Sequence, residues 1–115
     1  FYNGKKWRRS MENCLVYITA ANANEAVAIG RDLVERKLAA CANVHSPVVS
    51  IYRWRGVIQQ DNEVVLIAKT RRDLVDDLSV RVAEIHSYDC PCVVAIPIAG
   101  GHAPFLEWIS AESQS

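Results

Sequence analysis

The sequence predicts an α+β domain of ferredoxin-like order, β-α-β-β-α-β, with an antiparallel sheet, two helices on one face and a short helix at the end. Three observations predict it. Two stretches with apolar residues at helical spacing, near 22–38 and 73–86, alternate with β-rich apolar runs. The two runs between them, 48–57 and 63–70, are near enough in sequence to form one long hairpin. The chain has 115 residues, half of them apolar, which is one domain's length and enough for a core without disulfides or a structural metal.

The elements follow in order. Residues 14–20 (CLVYITA) are apolar and β-rich, a first strand. Asn22 with Glu25 three residues on has the form of a capping box, and Ala26, Ile29, Leu33 and Leu38 carry a helix to about Leu38. Gly30 lies inside that helix, where it costs about 1 kcal/mol against alanine, so another element is expected to approach there. Residues 40–44 and 48–57 read as strand, interrupted at His45-Ser46-Pro47. Pro47 cannot donate to a ladder and marks an edge, a bulge or a bend. Residues 59–62 (QQDN) read as the polar turn of the hairpin, and 63–70 as the return strand. Asp73 opens the second helix, with Leu74, Leu78, Val82 and Ile85 on one face and acids near its N-terminus. Residues 86–91 form a loop. The near-continuous apolarity of 92–98 predicts a last strand buried on both faces. Residues 103–113 form a terminal helix, with Phe105 and Trp108 as packing residues. His45 and His102 are placed in loops as surface histidines.

Charge is unevenly distributed. There are 13 basic and 13 acidic residues, but residues 1–10 hold four of the bases and no acid, so the rest carries a net charge of −4. Residues 1–10 are read as an appended or upstream remnant before a start at Met11, and 11–115 as a single domain. A mildly acidic body argues against nucleic acid as a partner. No apolar run approaches the roughly 18 residues that span a bilayer, and no secretory pattern is visible. A cytoplasmic protein that does not engage membranes is expected. In that setting Cys14 and Cys41 read as small core residues. Cys90-Pro91-Cys92 is a C-x-C pair without the second pair that a zinc site needs.

Alternate residues of a strand share a face, so Ser50, Tyr52 and Trp54 lie together, and Glu63, Val65, Ile67 and Lys69 lie together on the partner strand. Tyr52, Trp54, Glu63, Lys69 and Tyr88 could line a small-ligand cleft with an aromatic floor and few polar groups. An intersubunit ion pair beside aromatics is the plainer alternative. Asp61 and Glu63 are a same-face carboxylate pair without a water-excluded acid–base setting.

The order of motifs adds to this reading. Residues 38–44 (LAACANV) close the first helix, and 50–56 (SIYRWRG) are followed by Glu63 and Lys69-Thr70. Then come His86-Ser87-Tyr88, Pro91, Pro97 and 105–108 (FLEW). The series closely resembles the CutA family, the divalent-cation-tolerance proteins, over residues 13–110. The resemblance implies a ferredoxin-like subunit in a tight homotrimer whose hairpins pair between subunits, as in PII-type signalling proteins. It implies a link to divalent metal tolerance, copper especially, and no assigned reaction, hence not an enzyme. By the same resemblance Cys41 and His86 match positions implicated in copper binding. A first-strand cysteine found in some members is replaced here by Ile18 or a neighbour, with Cys14 four residues earlier. The usual proline between the family's histidine and tyrosine is Ser87.

Two ligands, a thiolate and an imidazole, suit copper but are too few for a tight site, so a second subunit, Cys90 or Cys92 would have to help. Read without the resemblance, His86 complements a helix C-terminus, worth about 0.3–1 kcal/mol. The alternative to a metal-linked protein is a PII-like module binding a small anionic metabolite or nucleotide between subunits, with Lys69 as the cation. A phosphate-loop hydrolase is disfavoured, because residues 20–23 (AANA) after the first strand lack glycine and arginine. A copper chaperone of the small ferredoxin-like kind would need paired cysteines there, and Cys90 and Cys92 are elsewhere.

Overall fold

A computed structural model describes residues 12–114 of the chain; the segment 1–10, read above as a remnant, lies outside them. The elements are β1 (Asn13–Ala20), α1 (Ala23–Glu35), β2 (Cys41–Trp54), β3 (Val57–Arg71), a 3-10 turn (Arg72–Leu74), α2 (Val75–Ile85), β4 (Val93–Pro97) and α3 (Ala103–Glu112). The sheet is antiparallel in the order β2-β3-β1-β4, the ferredoxin-like arrangement that the sequence predicts.

One face of the sheet carries the core. Even-numbered residues of β1 and β3 point to it: Val16 and Ile18 pair with Ala68 and Leu66, and all four are fully buried. Ala26, Ile29 and Leu33 of α1 and Leu78 and Val82 of α2 close over them. Gly30 marks the close approach expected of it. A Cβ there would lie 3.2 Å from Leu66 Cδ1 and 3.3 Å from Ala42 Cβ. Asn22 caps α1 by accepting the Glu25 amide at 2.8 Å.

The helix stops at Glu35, three residues before the periodicity ends. Lys37 takes a left-handed conformation (φ 59°), its amide bonds Val34 O and the Leu38 amide bonds Leu33 O. That is a Schellman closure, in which the residue past the turn packs back onto the helix. Leu38 therefore continues the apolar pattern without being helical.

The hairpin departs from the sequence reading in two ways. Residues 59–62 are not its turn: Gln59, Gln60, Asp61 and Asn62 are paired residues of β3, and the turn is Arg55-Gly56, with φ of 50° and 80°. Two consecutive positive φ values are what a two-residue hairpin requires, and the arginine at the first position hid the signal. Residues 45–47 do not break β2 either. They form a bulge between His45 and Val48 in an unbroken edge strand, so His45 is a strand residue rather than a loop residue. The bulge shifts the phase, so that Cys41, Asn43 and His45 share a face with Val48, Ser50, Tyr52 and Trp54.

Three smaller expectations are corrected. Asp73 falls in the 3-10 turn, and α2 begins at Val75. Among the described residues β4 is an edge strand paired only with β1, and Val94 and Ile96 are half exposed, so its apolarity does not reflect burial on both faces there. Phe105 and Trp108 stack on each other at 5.5 Å and stay exposed, while Ile109 is the buried residue of α3.

Candidate functional site

The loop after α2 carries the densest polar geometry. His86 caps that helix through its amide. Its ring Nδ1 accepts the Tyr88 amide at 3.0 Å, and Nε2 lies 2.8 Å from the Thr19 carbonyl. An acceptor at Nδ1 and a donor at Nε2 define the Nε2–H tautomer. The Ser87 amide donates to Glu25 Oε2 at 2.9 Å, while Glu25 Oε1 accepts the Ala21 amide at 3.0 Å. Burial alone would push the Glu25 carboxyl up, but these amides outweigh it and hold it below the usual carboxylate range. The Tyr88 hydroxyl donates to Glu63 Oε2 at 2.8 Å. Burial first, then the Glu63 bond and charge, hold Tyr88 as a neutral phenol.

A second phenol lies beside this point. Tyr52 donates its hydroxyl to Asp61, and that bond, with the charges of Asp61 and Glu63, raises its pKa. Of the five predicted cleft residues, Tyr88 and Glu63 are in contact, and Tyr52 joins them through Asp61. Trp54 and Lys69 do not join. Trp54 pairs with Val57 at the hairpin tip, six residues along β3 from Glu63, and Lys69 lies six residues the other way, each about 20 Å off at strand rise. Lys69 donates instead to Asn43.

The expected metal pair is not assembled in one chain. Cys41 sits opposite Lys69, and Lys69 opposite Leu15, whereas the His86 ring bonds Thr19, four residues further along β1. That is about 13 Å along the strand and two strand spacings across. Both ring nitrogens of His86 are taken by backbone partners, and among the described residues no three His, Cys, Asp or Glu side chains converge as a metal site. Within one subunit Cys41 and His86 therefore do not fit a bound metal. The four cysteines, Cys14, Cys41, Cys90 and Cys92, are free thiols. Burial raises Cys14; burial, then the Glu63 charge, raises Cys92 against a bond from Thr19.

Comparison with known proteins matches this architecture. The family model described as CutA1 divalent ion tolerance protein fits residues 14–112. The chain belongs to the CutA1 divalent ion tolerance family. It is 43% identical over 94 residues to the divalent-cation tolerance protein CutA of Archaeoglobus fulgidus, covering 82% of this chain and 91% of that one. It is 36% identical over 107 residues to the chloroplastic CutA protein of Arabidopsis thaliana, covering 93% of this chain but 59% of the plant protein. The chain thus spans about three-fifths of that longer relative. The crystal structure of CutA1 from Oryza sativa superposes with a TM-score of 0.88 at 36% identity, over 93% of this chain and 98% of that one. The resemblance read from residues 38–44, 50–56 and 105–108 is therefore correct at the level of family.

The sequence reading missed Glu25's second role. Its i+3 spacing from Asn22 marked a helix cap, and only the return of residue 87 to the same corner makes it a loop anchor. The Asp61–Glu63 pair lacks an acid–base setting in the sequence, and Asp61's bond from Tyr52 becomes visible only once 59–62 is a paired strand rather than a turn. Asp32 also escaped notice: it accepts two hydrogen bonds from Arg81 at 2.9 and 2.8 Å, joining α1 to α2.

Proposed function

We propose that this CutA1-family chain serves divalent-ion tolerance as a cytoplasmic homotrimer that binds a divalent metal, copper first, or a small ligand between subunits, and catalyses no reaction. The observation that carries the reading is the surface a single chain leaves open. The sheet face opposite the helices exposes Tyr17, Val94 and Ile96, and the hairpin beyond the bulge exposes Val49, Ile51, Val57 and Ile58. Val57 continues the open face, whereas Val49, Ile51 and Ile58 lie on the helix side of the ladder. Exposed apolar clusters of this kind mark interaction sites, and family membership favours further copies of the same chain as their cover.

The oxygen atoms of Tyr52, Asp61, Glu63 and Tyr88 lie on this open face, where a second subunit would add donors. Cys41 lies on the same face and could contribute a soft ligand across the interface. Among the described residues no helix is long and apolar enough to cross a membrane. The PII-like reading, an anionic metabolite between subunits, is supported by Lys69 alone, half-buried on the open face.

The test is calorimetric titration of the assembled protein with Cu2+ and with Zn2+, beside Glu63→Gln and Cys41→Ser. Affinity is expected to fall at least about tenfold in Glu63→Gln, or in Cys41→Ser for copper, on the scale of losing one ligand or its hydrogen-bonded support. Wild-type affinity in both variants would overturn the metal assignment. Stabilisation by nucleotides without any response to metal would favour the anionic-ligand reading.

A further inference from the structure

We infer that residues 86–88 form a latch in which His86 is the bridging side chain, not a metal ligand, and that the latch positions Tyr88 on Glu63. It rests on the reading above only in taking Glu63 as the group the latch serves. Four bonds make the latch. His86 Nε2 donates to the Thr19 carbonyl of β1, and Nδ1 receives the Tyr88 amide. The Ser87 amide reaches Glu25 at the start of α1, and the Tyr88 hydroxyl reaches Glu63 of β3. The loop is thus tied to three separate elements within three residues, and the His86 and Tyr88 rings pack with centroids 4.6 Å apart.

The imidazole has no lone pair to spare in this arrangement. A metal at Nε2 would displace the proton donated to Thr19, and that carbonyl would need a new partner. A metal at Nδ1 would displace the Tyr88 amide and lift the phenol away from Glu63. Either event opens the latch. His86 is therefore a positioning residue: it acts on Glu63 through Tyr88, and a divalent ion that reaches the open face does so without the imidazole.

The experiment uses the full chain in its assembled state, with imidazole nitrogens labelled for long-range nitrogen-15 NMR. His86 is expected to show a protonated Nε2 and an unprotonated Nδ1, and to keep that pattern in excess Zn2+. A protonated Nδ1, or movement of either ring nitrogen with Zn2+, would overturn the inference. This measurement needs no variant, so it stands even where one fails to fold. In His86→Ala, exchange of the Ser87 and Tyr88 amides is expected to accelerate at least about tenfold, as local opening becomes easier. The affinity for Zn2+ is expected to fall together with that acceleration, by up to about tenfold, because Tyr88 no longer supports Glu63. Loss of Zn2+ binding in His86→Ala with unchanged amide exchange would contradict the latch. If Zn2+ binds neither protein, the metal reading fails while the tautomer still decides the latch.

Discussion

The two ends of β3 make the instructive contrast. From Val64 to Thr70 even residues are buried under the helices, and odd residues other than Val65 are partly exposed on the open side. From Val57 to Asn62 the strand runs on in the same ladder with β2, but Ile58 is 64% exposed and Ile51, diagonal to it across the ladder, is 68% exposed. Apolar side chains occur in both halves. In one half the chain's own helices cover them, and in the other no described residue of the same chain does. The backbone pairing of a strand is therefore separable from the burial of its side chains, and the uncovered half presents apolar surface.

The sharpest way to break the contrast is to cut into each half. Leu66→Ala in the covered half is expected to cost about 3 kcal/mol, because it empties space between Gly30, Ile18 and the helices. Denaturant unfolding would measure it, and a loss under 1 kcal/mol would mean the site collapses freely. Ile51→Asp in the open half is expected to cost a single chain almost nothing while disrupting association, visible as normal far-ultraviolet circular dichroism with a reduced mass in light scattering.

Acid offers a milder test. Hydrogen bonds from Arg81, foremost, hold the Asp32 carboxyl below its usual range, and amide bonds do the same for Glu25 against burial. A carboxyl whose pKa is lower in the folded state stabilises fully above the unfolded value and loses that contribution as pH falls through the folded value. Stability should therefore drop below the ordinary carboxylate range near pH 4. Asp32→Asn should cost about 1 kcal/mol at neutral pH and flatten the acid slope. A slope identical to wild type would show that Arg81 does not discriminate the two forms. The smallest effects are expected at the two left-handed positions, one in each region. Lys37→Gly and Arg55→Gly each relieve a positive φ and should gain about 0.5–1 kcal/mol by thermal unfolding.

Much of the fold was legible because local signals agreed. The Asn22–Glu25 spacing marks the cap of α1, the glycine inside α1 marks a close approach, and Pro47 falls at a bulge of an edge strand, one of the meanings it allowed. The misreadings have a common source. Arg55-Gly56 is a hairpin turn without the usual asparagine, so the polar run 59–62 took its place. The β4 run is apolar although one chain leaves Val94 and Ile96 exposed, and periodicity cannot tell an interior from an assembly surface. The site was legible only in pieces. Tyr88 and Glu63 were both named, but the tie through Thr19 and Glu25 joins residues 62 and 67 positions apart, and no local pattern encodes that.

Native mass spectrometry of protein purified without affinity metal addresses the central claim, that the open half of the molecule is covered by further copies of the same chain. The account predicts a species of three chain masses that falls to one in Ile51→Asp. A wild-type protein that remains a single chain at micromolar concentration, with its mass unmoved by Ile51→Asp, would contradict it.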